Sequence, residues 1–237
     1  MSASEATTDM TSLLWAGAER RHKTKRRSGA HSPQDGRGYA RLPINPRDRL
    51  VMLYGHPLVI HLALQVAADR ALSGDPLIYL DAAHTYDSLV IGRVAKARRQ
   101  PPRKVLNMVH VARAYSWHQM ERLVSHCLSD ALARYGARTA VIAGLFEVLA
   151  EEQASDRDIA RMSDRLAESI EGLTEKGYSL LCPCPSIPME TSVGHRLFIR
   201  LQNLADRRIL AKTIEGQVEF EEDARHANGT LYDGAGS

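Results

Sequence analysis

Residues 50–70 read LVMLYGHPLVIHLALQVAADR and predict a short apolar strand that runs into Gly55 and then at once into a helix. Pro57 suits the first helical position because its missing N–H is not needed there. A strand, a glycine and a helix in this order are typical of sites where helix N–H groups hold phosphate. The motif for that chemistry, G-x-x-x-x-G-K-[S/T], is absent. No second glycine, lysine or hydroxyl residue lies between Gly55 and the first turn of the helix. The stretch therefore predicts the setting of a phosphate site without its chemistry.

Strand and helix patterns alternate beyond this stretch. The continuous apolar run at 139–143 predicts a strand buried on both faces, and 178–182 predicts another buried strand. Strands are also expected at 77–80 and within 105–114. A helical stripe over 120–132 is the strongest in the chain. The alternation predicts an α/β fold, with a mostly parallel twisted sheet and helices on both faces.

The pattern changes after Pro188. Three short runs, 197–201, 209–212 and 218–220, predict antiparallel strands at the C-terminal edge of the sheet.

Composition indicates one globular domain with tails. The hydrophobic content of 44% and the charged content of 25% over 237 residues are those of an ordinary soluble domain. No apolar run approaches a membrane span and the N-terminus lacks a secretory signal, so we expect no membrane partner. Three cysteines favour a reducing compartment, and hence the cytoplasm, over a disulfide framework.

Charge divides the chain unevenly. Residues 1–50 hold 10 Lys/Arg and 5 Asp/Glu, a net charge of +5, so the rest carries −2 within the total of +3. We predict a flexible basic N-terminal tail over 1–48, a core domain over 49–222, and a disordered C-terminal tail over 223–237.

Two basic segments are candidates for contact with nucleic acid. The densest is the run at 20–27, for which a plain solvated tail is the alternative interpretation. The second is the loop at 98–103 with Lys104, which its prolines are expected to keep non-helical. Lys and Arg are the side chains that neutralise phosphates. The predicted DNA-binding residues are Arg20, Arg21, Lys23, Lys25, Arg26, Arg27, Arg98, Arg99, Arg103 and Lys104.

The segment 111–120, VARAYSWHQM, resembles the ATPase core of the RecA/RadA strand-exchange recombinases, whose archaeal and eukaryotic members carry a similar Ala-Arg-Ala-aromatic stretch followed by His-Gln. The segment 79–87, YLDAAHTYD, is similar to the family's Ile-Asp-Ala/Thr-Glu strand end. LYG at 53–55 and LALQ at 62–65 are similar to the flanks of its phosphate loop. The likeness covers residues 48–222. It implies a RecA-like core with the P-loop NTPase fold.

The positions of the family's nucleotide chemistry carry other residues here. The shortened phosphate loop begins at Gly55, the catalytic Glu falls on Ala83, and the magnesium-supporting Asp falls on Ala143. The Asn-Gln pair that senses the γ-phosphate falls on 184–185. Because phosphoryl transfer depends on positioning and charge, the resemblance predicts a pseudo-ATPase with no catalytic residue and no ATP or Mg²⁺ cofactor. Weak nucleotide binding without turnover is the alternative. The degenerate nucleotide-binding positions are Gly55, His56, Pro57, Asp81, Ala83, Ala143, Cys184 and Pro185.

A candidate contact with another protein lies on the N-terminal side of the core domain. Trp15 and Ala18 have the aromatic-x-x-Ala spacing with which family members clip onto the next protomer, and a small hydrophobic anchor is the alternative. The family's apolar receiving pocket falls on Arg122, His126 and Ser129, so self-association is left open.

The family's two mobile loops that line its DNA channel match residues 145–158 and 186–196 in place. The first is acidic here and the second offers only His195 and Arg196, so neither favours DNA binding by the family's route.

Three cysteines and a histidine are candidate metal ligands. Cys182 and Cys184, with Cys127 and His126, supply one C-x-C without a second ligand pair, so buried cysteines and no metal are the better interpretation.

The leading hypothesis is a non-catalytic accessory protein in DNA recombination or repair. Its expected partner is a recombinase or another DNA-repair protein, with single- or double-stranded DNA as a further contact. One alternative is a protein-binding regulator or inhibitor without a DNA role, because RecA-like folds without nucleotide also serve as inhibitors in the bacterial SOS response. The other is an ATP-dependent recombinase with an atypical phosphate loop.

Overall fold

The computed structural model describes residues 48–152, 155–189, 192–214 and 217–223. The predicted tails lie outside these ranges apart from one residue each, so the predictions of flexibility and disorder stay predictions. Asp48 belongs to the folded part, because its carboxylate lies 3.1 Å from Nη1 of Arg207. At the other end, the last strand reaches Asp223.

The strands of the described ranges form one sheet with the order β3-β2-β4-β5-β1-β6-β7. All neighbouring pairs are parallel except β6 and β7, which pair antiparallel at the edge. The α/β fold with a mostly parallel sheet, predicted from the sequence, is therefore confirmed. The strands are β1 (Leu50–Tyr54), β2 (Leu77–Asp81), β3 (Val109–Arg113), β4 (Thr139–Ala143), β5 (Ser179–Cys184), β6 (Arg207–Ile214) and β7 (Gln217–Asp223).

Helices connect the strands and cover the sheet. A π-helical turn at Leu123–Cys127 joins two of them, so the predicted stripe at 120–132 is helical throughout without being one regular α-helix. The helices are α1 (Leu58–Leu72), α2 (Ser88–Ala97), α3 (Pro102–Leu106), α4 (Trp117–Arg122), α5 (Leu128–Arg134), α6 (Leu145–Ala150), α7 (Asp156–Glu175) and α8 (Val193–Leu204).

The strand predicted at 197–201 was wrong. These residues lie in α8, where Leu197, Phe198 and Leu201 are buried at the spacing of one helix face. The β-forming character of the run misled the prediction, whereas burial follows the helical period. Since α8 returns the chain across the sheet, β6 runs parallel to β1, and only the β6–β7 pair is antiparallel as expected.

The basic loop expected at 98–103 was also partly wrong. Pro102 opens the short helix α3, because proline lacks only an N–H that a first-turn residue does not need. The helix takes up the start of the strand predicted at 105–114, and β3 begins at Val109.

Successive side chains of the central strands point to opposite faces of the sheet. Leu50 and Met52 join the core beneath α4–α8, whereas Val51 and Leu53 join the core beneath α1–α3. Burial on both faces explains why these strands are continuously apolar. Within the described ranges, no helix combines the length and the apolar character that crossing a membrane requires.

Candidate functional site

The carboxyl ends of β1, β2, β4 and β5 meet at one edge of the sheet, which is where open α/β sheets bind ligands. Tyr54 is in register with Cys184, and Asp81 is in register with Ala143. The backbone pairing extends past the strand ends, because Gly55 N–H donates to Cys184 O over 3.1 Å. The degenerate positions named above therefore lie at or directly after four adjacent strand ends.

The turn from β1 to α1 is closed against β6. Gly55 has φ of +97°, and a Cβ at this position would lie 2.6 Å from Cδ1 of Leu210 and 2.8 Å from the carbonyl oxygen of Ala211. Only glycine combines this backbone conformation with such a close approach. Pro57 is the N-cap of α1 rather than its first helical residue, so the predicted position was wrong by one.

The first N–H groups of α1 already have acceptors within the turn. Leu58 N–H donates to Nδ1 of His56 over 3.1 Å, Val59 N–H donates to His56 O over 3.0 Å, and Ile60 N–H donates to Pro57 O over 3.2 Å. These are the donors that a helix N-terminus offers to a phosphate. His56 therefore occupies with its own imidazole and carbonyl the bonds that an anion would need.

The carboxylate of Asp81 holds local structure together. Its side chain is fully buried and accepts hydrogen bonds from the backbone N–H groups of Thr85, at 2.8 Å, and of Tyr86, at 3.2 Å. The guanidinium Nε of Arg113 lies 3.5 Å from the same carboxylate. Both carboxylate oxygens thus hold the loop that follows β2, rather than facing an open site.

The ends of β2 and β4 are in direct backbone contact. Ala82 N–H donates to Ala143 O over 2.9 Å. Gly144 has φ of +82°, and a Cβ there would lie only 2.1 Å from the backbone nitrogen of Ala83. The positions that the resemblance assigns to the catalytic Glu and the magnesium-supporting Asp therefore carry alanines beside a tight glycine contact.

The cysteines are buried, as the sequence predicted. Cys184 Sγ donates to Ser186 O over 2.9 Å. Burial raises the pKa of the Cys182 thiol to about 12, and burial together with the nearby Glu147 charge raises the pKa of Cys184. Both thiols are therefore protonated near neutral pH and are poor nucleophiles. Among the described residues, His, Cys, Asp and Glu side chains form no group of three or more that could hold a metal ion.

Glu147 is the residue at this edge whose environment the sequence did not predict. It lies in α6, where Leu145, Phe146, Val148 and Leu149 are buried, so a helix replaces the mobile loop expected at the start of 145–158. Neither carboxylate oxygen has a hydrogen-bond partner among the described residues. Burial raises its pKa, while the nearby N–H groups of Phe146 and Glu147 oppose the shift without forming an aligned hydrogen bond. The apolar residues on either side of Glu147 in the sequence were the signal from which its burial could have been predicted.

The free energy of unfolding of the wild type is expected to fall as pH rises above about 4.5, the ordinary pKa of a glutamate side chain. Glu147→Gln is expected to remove this fall. Because the folded-state pKa is raised, the protonated carboxyl favours folding at low pH, and this contribution is lost as pH rises through the folded pKa. Urea unfolding at pH 4, 6 and 8 measures the difference in free energy between wild type and variant. The exposed Glu168→Gln serves as control, and a Glu147→Gln difference independent of pH would contradict the account.

The second predicted DNA-binding segment lies at the opposite, amino edge of the sheet. The side chains of Arg98, Arg99, Arg103 and Lys104 are exposed around the end of α2 and in α3. Arg98 makes a surface contact with Asp69 at 3.9 Å. Residues 88–120 contain no Asp or Glu, so local sequence does not neutralise this segment, which we call the basic hairpin (residues 98–104).

Arg99 is unusual within the basic hairpin. It has φ of +55°, and the N–H groups of Arg99 and Gln100 cap α2 by donating to Lys96 O and Ala95 O, each over 2.9 Å. Glycine is the usual residue at such a helix end, since a side chain there costs about 1 kcal/mol. The arginine at this position places a charge on the surface, although the backbone conformation there favours glycine.

Several predicted residues lie outside the described part of the chain. At the proposed receiving pocket, Arg122 and His126 are exposed and Ser129 is half-buried. The structure therefore brings together the positions that the resemblance assigns to nucleotide chemistry, separates them from the basic hairpin, and leaves the tail predictions open. The undescribed residues are Arg20, Arg21, Lys23, Lys25, Arg26, Arg27, Trp15 and Ala18.

An open cavity beside α6 was not predicted from the sequence. It has a volume of about 320 Å³ and is lined by Tyr115, Ser116, Val148, Glu151 and Glu152. We call it the carboxyl-edge cavity.

Comparison with models of known protein families gives no match, and a search of curated proteins gives none either. The geometry of the sheet edge and of the basic hairpin is therefore the basis on which a function is assigned.

Proposed function

We propose that this chain is a non-catalytic accessory protein of DNA recombination or repair, with a RecA-like core that has lost its nucleotide chemistry. It acts by binding a partner protein, a recombinase or another repair protein, and contacts DNA through basic segments. We assign it to the cytoplasm, where reduced cysteines are the rule.

The observation that carries the proposal is the hydrogen bonding of the β1–α1 turn. The N–H groups of Leu58, Val59 and Ile60 are satisfied by His56 and Pro57. A phosphate group would have to displace these bonds, and no lysine or hydroxyl residue stands in the turn to compensate. The arrangement supports a turn that serves folding rather than nucleotide binding.

The convergence of distant positions supports the family resemblance. Gly55, Ala83, Ala143 and Cys184 are far apart in the sequence, yet they lie at four adjacent strand ends. Nucleotide chemistry in the family requires this arrangement, and the parallel sheet supplies it by bringing the carboxyl ends of its strands to one edge. Each position carries a residue without a charged side chain, which supports a pseudo-ATPase.

Contact with DNA is supported by the basic hairpin. Its four cations are exposed, and Arg99 keeps its charge in a conformation that favours glycine. A regulator without a DNA role is the second candidate, favoured by the acidic residues Glu151 and Glu152 at the carboxyl-edge cavity, which would repel phosphates.

Mg-ATP is expected to leave the melting temperature of the full chain unchanged and to undergo no turnover. A nucleotide present at a hundred times its Kd would add about 2.7 kcal/mol of stability. For a chain of this length, that corresponds to a rise in melting temperature of about 5–10 °C. Thermal unfolding with 1 mM Mg-ATP, and phosphate release, measure both quantities, with an active RecA-type ATPase as positive control. A rise of several degrees would favour the nucleotide-dependent recombinase and contradict the proposal.

A further inference from the structure

The carboxyl-edge cavity lies between α4 and α6, on the side of the sheet edge away from the β1–α1 turn. Its wall combines one aromatic ring, one apolar side chain and two carboxylates, from Tyr115, Val148, Glu151 and Glu152. The nucleotide positions of the resemblance do not contribute to it. A site with this lining has a different ligand chemistry from the degenerate phosphate site.

Tyr115 presents its ring to solvent from a fixed position. Its side chain is 70% exposed, which is unusual for a large aromatic residue. The ring lies against the imidazole of His84, with 4.7 Å between centroids. The backbone N–H of Tyr115 donates to Oε1 of Gln119 over 2.7 Å, so the segment at the start of α4 is held in place. Such a ring offers a preorganised face to a ligand.

The charge at the cavity is negative. Glu151 is exposed, and the side chain of Glu152 is only 15% exposed. His118 Nδ1 lies 3.4 Å from the Glu152 carboxylate. The first turn of α7, which follows Glu152 in the chain, carries Asp156, Arg157 and Asp158 and is net negative. A cationic ligand is therefore favoured, and phosphates are disfavoured.

Two large apolar side chains are exposed on the segment between β5 and α8. Ile187 is 49% exposed and Met189 is 76% exposed. Their segment lies beside α6, because Pro188 and Leu149 both lie 3.5 Å from the Cβ position of Gly194. Exposed aromatic and Met side chains are enriched in protein interfaces, and carboxylates such as those of Glu151 and Glu152 are typical of the polar rim.

We propose that the carboxyl-edge cavity binds an arginine or lysine side chain from a basic segment of the partner protein. The methylene stem packs on Val148, the cation lies over the Tyr115 ring, and the carboxylates of Glu151 and Glu152 pair with it. This inference rests on the proposed function, since it names the partner chemistry that the accessory protein recognises. The opposite signs of the two edges assign protein binding to the carboxyl edge and DNA contact to the basic hairpin.

The full chain should bind a fluorescein-labelled peptide with four arginines separated by Gly-Ser, measured by fluorescence anisotropy. Tyr115→Phe keeps the ring face and is expected to bind as the wild type does. Tyr115→Leu is expected to bind about fivefold more weakly, because the cation–π contact is lost. Glu151→Gln with Glu152→Gln is expected to bind about tenfold more weakly, with a smaller salt dependence.

The matched control is Glu168→Gln with Glu175→Gln, which removes two exposed carboxylates of α7 outside the cavity lining. Equal loss in this control, or a Tyr115→Phe variant as weak as Tyr115→Leu, would overturn the proposal. A tenfold gain in peptide affinity after neutralising 20–27 would also overturn it, because the chain's own basic run would then be the occupant. Thermal unfolding of each variant checks that it folds. The Mg-ATP experiment tests the proposed function separately, since nucleotide binding would leave the peptide result unchanged.

Discussion

Gly144→Ala is expected to lower the free energy of unfolding by about 2–5 kcal/mol. Gly144 has φ of +82°, where a side chain costs about 1–2 kcal/mol. The new Cβ would also lie 2.1 Å from Ala83 N and 2.7 Å from Ala82 C, both of which are backbone atoms. Backbone cannot rotate away as a side-chain end can, so overpacking adds roughly 1–3 kcal/mol. Urea unfolding measures the loss.

Substitutions at two other glycines separate the cost of the backbone conformation from the cost of the close contact. Gly74 has φ of +84° with open space around its Cβ position, so Gly74→Ala should show the conformational cost alone, about 1–2 kcal/mol. Gly172 lies within α7, and Gly172→Ala should stabilise the chain by about 0.5–1 kcal/mol. If Gly144→Ala loses no more stability than Gly74→Ala, the two strand ends do not touch as described, and the site between them is more open than the proposal requires.

Replacing the four cations of the basic hairpin with glutamine is expected to weaken DNA binding about a hundredfold at low salt. Each cation that contacts a phosphate contributes about 1 to the slope of log affinity against log salt, so the slope should fall by about 4. Fluorescence anisotropy with labelled single- and double-stranded DNA, at salt concentrations from 50 to 300 mM, measures both. The effect should be uniform across DNA sequences, because phosphate contacts carry no sequence information.

The control for this variant replaces Arg134, Arg138 and Lys176, three exposed cations outside the basic hairpin. A separate variant neutralises the run at 20–27, which tests the other predicted DNA contact. An unchanged affinity and slope in the hairpin variant would remove the hairpin from the DNA interface. If both basic segments can be neutralised without effect, the protein-binding regulator without a DNA role becomes the better account.

Much of the fold could be predicted because hydrophobic periodicity is a local property. Continuous apolar runs such as 139–143 indicated buried strands, and the stripe over 120–132 indicated helical structure, as the sequence predicted. The errors came where local preference and long-range packing disagree. The run at 197–201 has β-forming residues, yet it packs as a helix, and that crossover in turn makes β6 parallel to β1.

The sequence by itself determined which chemical groups are missing. Ala83 and Ala143 cannot supply the carboxylates, and Cys184 cannot supply the amide, that the resemblance requires at these positions. Only the tertiary structure decided how the remaining groups are used. His56 accepts a hydrogen bond from the first N–H group of the helix that would hold phosphate, and Gly144 packs against the backbone of Ala83. The carboxylate oxygens of Glu147 are buried. These outcomes depend on contacts between residues far apart in the chain, and local pattern does not record which donors are satisfied or which carboxyls are buried.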